Sequence, residues 1–102
     1  MGKQEAKVEA YLIKKIKELG GDCYKIVSPG RNGMPDRICC LPKGVTIWVE
    51  VKTEIGVVSK IQVACINRLR ELGHRVMILF GKTDVDAFIT GLKNCEENKN
   101  GL

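Results

Sequence analysis

A mixed α/β fold, with elements in the order α-β-β-β-α-β-α, is what the 102-residue sequence predicts. Two stretches are helical in pattern: Val8, Tyr11, Leu12, Ile16 and Leu19 fall on one helix face, and a second such run begins after Ser59. Between them, Arg37 to Leu41 and Val45 to Lys52 read as strands joined by the turn residues Pro42, Lys43 and Gly44. A helix between the third and fourth strands permits a parallel crossover, whereas the central pair is antiparallel. The sheet is therefore mixed and flanked by helices.

Taken in order, the first helix is expected over Gln4 to Leu19, where Gly20 and Gly21 stop it. Cys23 to Val27 is a short strand. The run "SPGRNG", Ser28 to Gly33, is turn chemistry, so residues 28–35 read as an exposed loop. In the hairpin after it, Pro42 suits the second position of a type I turn and Gly44 the left-handed position beyond. Glu54 to Val58 is a connector. Ser59 opens a helix running to Leu72, with Gln62 three residues on to complete a capping box and Gly73 just past the end. His74 is then a turn residue rather than a general base. Arg75 to Phe80 is the last strand and Asp84 to Leu92 the last helix. One domain over residues 1–93 results, and the tail 94–102, "NCEENKNGL", has little to bury and is expected to fray.

Composition narrows the function classes. Apolar residues make up 44% of the chain, yet no run approaches the roughly 18 that a membrane span needs. No signal-peptide pattern opens the sequence, so the cytoplasm is the expected location. The five cysteines are odd in number and include no C-x-x-C pair, which reads as reduced thiols in packing and leaves a redox enzyme without a resolving pair. Cys39 and Cys40 are adjacent, face opposite sides of a strand, and do not share a metal. The net charge of +5 favours a polyanion partner, as it does for many ordinary proteins.

The hairpin carries the chemistry. If Leu41 pairs with Val45, counting outward sets Ile38 opposite Trp48 and Asp36 opposite Glu50. Directly opposed like charges destabilise a sheet. Glu50 and Lys52, two apart on one strand, share that face, while Val45, Ile47, Val49 and Val51 occupy the other. A divalent cation between Asp36 and Glu50 would compensate the charge. Mg²⁺ prefers such oxygen ligands, polarises phosphoryl oxygens and lowers the pKa of a bound water. Lys52 beside it would orient that water or stabilise charge developing on phosphate. The same spacing also describes a surface ion pair of little energetic weight, and both readings stand at this point.

Gly33, Met34, Pro35 and Asp36, followed by Glu50, Val51 and Lys52, resemble the P-D…(D/E)-x-K signature of the restriction-endonuclease-like nucleases. "KIVSPGRNGMPDR", "WVEVKT" and the glutamine of "SKIQ" resemble, within that superfamily, the virus-type replication-repair nuclease (VRR-NUC) domain in its minimal phage or bacterial type. The resemblance implies a restriction-endonuclease-like core. It makes Asp36 and Glu50 metal ligands, with the Val51 backbone carbonyl as a third oxygen, and Lys52 the catalytic lysine. It also implies an acid from the first helix. Glu9 and Glu5, one turn apart, both qualify, and Glu9 is favoured because Val8 and Leu12 beside it are core-like. Gln62 matches a glutamine near the scissile phosphate, and its capping role explains it equally without chemistry. Lys25, Ser28 and Arg31 match positions that touch phosphate, a solvated loop being the alternative for Arg31, and Lys60 joins this DNA-contacting set. Arg37 should face away from Asp36.

In function, the resemblance implies a Mg²⁺-dependent endodeoxyribonuclease, with Mn²⁺ as a substitute, in the cytoplasm of a bacterial or phage-infected cell. Its expected substrate is branched DNA such as a Holliday junction, and its expected state a homodimer, since symmetric cutting needs two related sites. Rival readings are a non-cleaving nucleic-acid-binding module, a subunit of a repair complex, a flap or other repair nuclease, and a restriction-type enzyme.

Overall fold

Val8, Leu12 and Ile16 recur every fourth residue and are all buried, and this stripe is the reason the N-terminal segment forms a helix against the sheet. The structure, a computed structural model, describes the backbone of residues 2–100 and the side chains of residues 2–95. Helix α1 is Lys3–Glu18, β1 Asp22–Lys25, β2 Arg37–Leu41, β3 Val45–Lys52, α2 Lys60–Glu71, β4 Val76–Phe80 and α3 Gly81–Asn100. The expected order therefore holds.

Four strands form one sheet in the order β1-β2-β3-β4. The first two pairings are antiparallel and β3 with β4 is parallel, as a helical crossover through α2 allows. Leu41 is opposite Val45 and Ile38 opposite Trp48, the register counted from the turn. Helices α1 and α3 cover the face that carries Ile47, Val49 and Val51, and with Cys39, Leu79, Val85, Phe88 and Ile89 these make the core. The Tyr11 hydroxyl of α1 donates to Asp86 of α3 at the rim. Helix α2 lies on the opposite face and buries only Ile66, with Ile61, Val63 and Leu72 exposed near it.

Local signals act as expected at the helix ends. Gly20 N–H donates to Lys17 O and Gly21 N–H to Ile16 O, closing α1 in a Schellman motif. Gly73 N–H to Arg70 O and His74 N–H to Leu69 O close α2 the same way, so His74 is a turn residue. Ser59 and Gln62 form a full capping box: Ser59 Oγ accepts from Gln62 N–H at 3.2 Å and Gln62 Oε1 from Ser59 N–H at 3.0 Å.

Three details differ from the sequence reading. β1 spans Asp22–Lys25 rather than reaching Val27. In the hairpin turn, Gly44 is left-handed as expected (φ 75°), but so is Lys43 (φ 67°), where a type I turn would keep φ near −90°. Lastly, α3 starts at Gly81, directly from β4, and continues to Asn100 rather than covering Asp84 to Leu92. Gly81 makes the abrupt entry possible with φ 73°, and Asp84 Oδ2 turns back to accept the Phe80 N–H at 2.8 Å. The backbone of residues 94–100 is helical, and residues 101–102 lie outside the described residues.

Leu12 has no solvent exposure and sits where α1 meets the sheet. Leu12→Ala is expected to lower unfolding stability by about 2–5 kcal/mol, read from the shift of a urea denaturation midpoint at unchanged slope.

Candidate functional site

Asp36 lies one residue before β2, and extending the observed pairs Arg37 with Val49 and Ile38 with Trp48 places it opposite Glu50. Its carbonyl accepts the Ile26 N–H at 2.6 Å, which fixes the backbone there beyond the end of β1. Pro35, fully buried, precedes it. The two carboxyl groups are close enough for Asp36 to raise the Glu50 pKa. Two carboxylates hold such a contact only by sharing a proton or a cation.

Glu50 is 2% exposed, an unusual place for an acid in so small a core. Its Oε2 accepts from Gln62 Nε2 at 3.0 Å and lies 3.5 Å from Lys52 Nζ. Its Oε1 is buried with no partner. Burial chiefly, then the hydrogen bond and charge of Asp36, push the Glu50 carboxyl up from its ordinary 4.5 to about 7, while Lys52 pulls the other way. Gln62 serves two purposes with one amide: its oxygen caps α2 and its nitrogen reaches Glu50.

Helix α1 brings the remaining acids. Glu9, 8% exposed, has its Oε2 3.3 Å from Arg37 Nη2, and its Oε1 is buried without a partner. One carboxylate oxygen each from Glu5, Glu9 and Asp36 falls within 4.8 Å of the others. Asp36 is therefore shared between two groupings, the helical glutamates on one side and Glu50 with Lys52 on the other. Both Glu5 and Glu9 fall in this group, and Glu9 is the more buried. The converging hard oxygen donors of Glu5, Glu9 and Asp36, with Glu9 Oε1 and the neighbouring Glu50 Oε1 orphaned, suit a divalent cation of the Mg²⁺ type. Val51 itself packs its side chain into the core between Glu50 and Lys52.

The loop between β1 and β2 is tied to α2. A Cβ on Gly33, which has φ 91°, would come within 2.7 Å of the Ile61 carbonyl oxygen, so only glycine allows this approach. Cys65 Sγ hydrogen-bonds Asn32 O at 3.3 Å from the other side. The loop thus brings exposed Arg31 to the α2 N-terminal turn, where exposed Lys60 begins the helix. Ser28 is half-buried, its carbonyl accepting from Arg31 N–H. Lys25, exposed, sits across from Arg37 in the β1–β2 ladder.

Arg37 does face away from Asp36 along the strand, yet it belongs to the site as the counter-ion of Glu9. Sequence alternation set it only on the strand face opposite Asp36. What it could not supply was the docking of α1, which turns that side of β2 toward an acid.

A sheet with an acidic strand pair, a lysine two residues beyond and a glutamate from the first helix is the arrangement of the restriction-endonuclease-like class. No family model matches the chain. A phage protein named "Putative nuclease p44", from Acyrthosiphon pisum secondary endosymbiont phage 1, is 41% identical over 76 residues, which are 74% of this chain and 82% of that protein. A solved structure described as "VRR_NUC domain" superposes with a TM-score of 0.82 at 32% identity, covering 87% of this chain and 97% of that one. Another, a "VRR_NUC domain protein", has a TM-score of 0.64 at 14% identity, with 92% and 88% covered, a likeness of fold. The chain belongs to the VRR-NUC family.

The raised Glu50 value has a consequence for stability. Between pH 4.5 and about 7 the folded protein keeps a proton that the unfolded chain releases, so stability falls as pH rises through that window. In EDTA, the melting temperature of the wild type minus that of Glu50→Gln is expected to fall across this range and level off above it. A difference independent of pH would show that Glu50 titrates normally. Millimolar Mg²⁺ is expected to raise the wild-type melting temperature most at the alkaline end.

Proposed function

We propose that this chain is a metal-dependent DNA endonuclease acting on branched DNA, such as four-way junctions, as a homodimer. The observation that carries the reading is the position of Asp36, in contact with Glu50 and grouped with Glu5 and Glu9, with Lys52 beside Glu50. Family membership and the name of the phage relative point the same way.

Asp36, Glu50 and Glu9, with Glu5 beside them and the Val51 carbonyl, would hold the cation. Bound there, Mg²⁺ or Mn²⁺ would supply Lewis-acid polarisation of the phosphoryl oxygen and a more acidic water. The residues of the chain account for the rest. Lys52, held at 3.5 Å from Glu50 Oε2, is close enough to stabilise charge on the phosphate once Glu50 is engaged elsewhere. Gln62 fixes Glu50 from the α2 side. Arg37 holds Glu9 in place. Lys25, Ser28, Arg31 and Lys60 would bind flanking phosphates, and such contacts position a duplex without reading its sequence. Among the described residues no segment stands out as a base reader, which favours recognition of shape over a restriction-type specificity. Among the described residues no helix is long and apolar enough to cross a membrane.

Labelled four-way junctions, splayed arms, flaps and plain duplexes, each incubated with Mg²⁺, Mn²⁺ or EDTA, test the reading directly. Paired nicks near the junction point are expected with either metal and none with EDTA. Lys52→Ala is expected to lose roughly 10²–10³-fold in rate. Equal cutting of every substrate would leave a nuclease without junction preference. Binding with no cutting under either metal would replace the enzyme with a binding module. Sedimentation of the free protein at a monomer mass would remove the homodimer.

Arg31→Ala gives a separate check on the loop. It is expected to weaken junction binding and to reduce the slope of log K against log salt by about 1, with cleavage of saturated substrate unchanged.

A further inference from the structure

The β1–β2 pair holds a second chemical feature, which borders the acidic site at Arg37 but does not depend on the nuclease reading. Cys23 of β1 and Cys39 of β2 are direct cross-strand partners. The bond from Ile26 N–H to Asp36 O marks residues 26 and 36 as a hydrogen-bonded pair. Antiparallel pairs alternate, so stepping back three rows makes Cys23 with Cys39 a non-hydrogen-bonded pair. At such positions Cα atoms are about 4.5 Å apart and side chains closest. A disulfide spans Cα separations of about 4.4–6.8 Å, so both sulfurs can be joined without moving a strand. The two thiols are close enough to shift each other's acidity in opposite directions.

The other cysteines have no such partner. Cys40 is opposite Asp22, Cys65 is bound to the Asn32 carbonyl, and Cys95 is exposed on α3. Access is also asymmetric, with Cys23 half-buried and Cys39 at 0% exposure. The hydrogen bond from Cys39, and after it the charge of Arg37, draw the Cys23 thiol down to about 7 against the cost of its burial. Cys39 is moved upward by the same bond and by burial.

We propose that Cys23 and Cys39 are an oxidation site at which a reversible cross-strand disulfide forms, with Cys23 the entering thiol. With a small disulfide such as oxidised glutathione as oxidant, the Cys23 thiolate attacks one sulfur and expels a glutathione thiolate. Cys39, losing its proton, then attacks the Cys23 sulfur of the mixed disulfide and expels the second glutathione. Both protein thiols lose their hydrogens and two electrons pass to glutathione disulfide, leaving two glutathione thiols. The same exchange run in reverse by a reducing thiol reopens the link.

The test uses the full chain in a Cys40→Ser background, which removes the neighbour sharing the tryptic peptide of Cys39. The protein is treated with oxidised glutathione near neutral pH, quenched in acid, alkylated and mapped by mass spectrometry. The expected result is a linked Cys23–Cys39 peptide, loss of alkylation at both positions, and recovery of both by dithiothreitol. Adding Cys39→Ala is expected to stop the reaction at a Cys23–glutathione mixed disulfide, and adding Cys23→Ser to leave Cys39 unmodified. Thermal melting of each variant confirms that it is folded. Cys23 and Cys39 remaining alkylatable while Cys95 becomes glutathionylated would overturn the proposal, as would a stable Cys23–glutathione adduct with Cys39 intact.

Discussion

Two carboxyl groups held opposite each other on neighbouring strands, Asp36 and Glu50, set the constraint to which the surrounding structure answers. Placing ionisable oxygens in a poorly hydrated position costs several kcal/mol each unless they are paired or hydrogen-bonded. A domain of this size has a total stability of only about 5–15 kcal/mol. The compensation comes from every quarter: Lys52 from the same strand, Gln62 from α2, and a glutamate–arginine pair, Glu9 with Arg37, packed alongside. The compensation is also incomplete, since Glu9 Oε1 and Glu50 Oε1 end with no partner. A fold selected only for stability would replace these groups with apolar ones. Their retention is intelligible if the missing partner is a ligand.

Position, rather than composition, turns these residues into a site. The hairpin turn fixes the register, the register fixes which face each charge occupies, and the α1 packing stripe fixes how far Glu9 reaches. Gly33 adds a further constraint by allowing the loop backbone to lie against Ile61, so that the basic loop and the start of α2 share one surface. Small changes at these framework positions would displace charges by more than the fraction of an ångström that metal coordination tolerates.

The parts legible in the sequence were those fixed by local chemistry. Pro42 to Gly44 set the β2–β3 register, and Ser59 with Gln62 announced the start of α2 as a capping box. The double glycine ended α1 where expected. Illegible were features set by distant neighbours. Asp84 looked like a helix start because acids favour that position, whereas it reaches back from within α3 to cap the end of β4. The left-handed Lys43 has no propensity signal, since lysine is a poor choice for that conformation. Arg37 gained its role from a helix that begins over thirty residues earlier. The Cys23–Cys39 pairing needs the β1–β2 register, for which the long intervening loop gives no count.

The two faces of the sheet are unequally covered. On one, α1 and α3 pack together over the core, while on the other α2 stands alone with a single buried side chain, Ile66. Partial opening therefore has different costs on the two sides, and detaching α2 exposes little apolar surface. Gln62 would leave with it, releasing its hold on Glu50 while Asp36, Glu9 and Arg37 stayed fixed to the better packed layer. The acids on the α1 side thus rest on the apolar core, whereas Gln62 rests on a helix held largely by polar contacts and the Gly33–Ile61 approach.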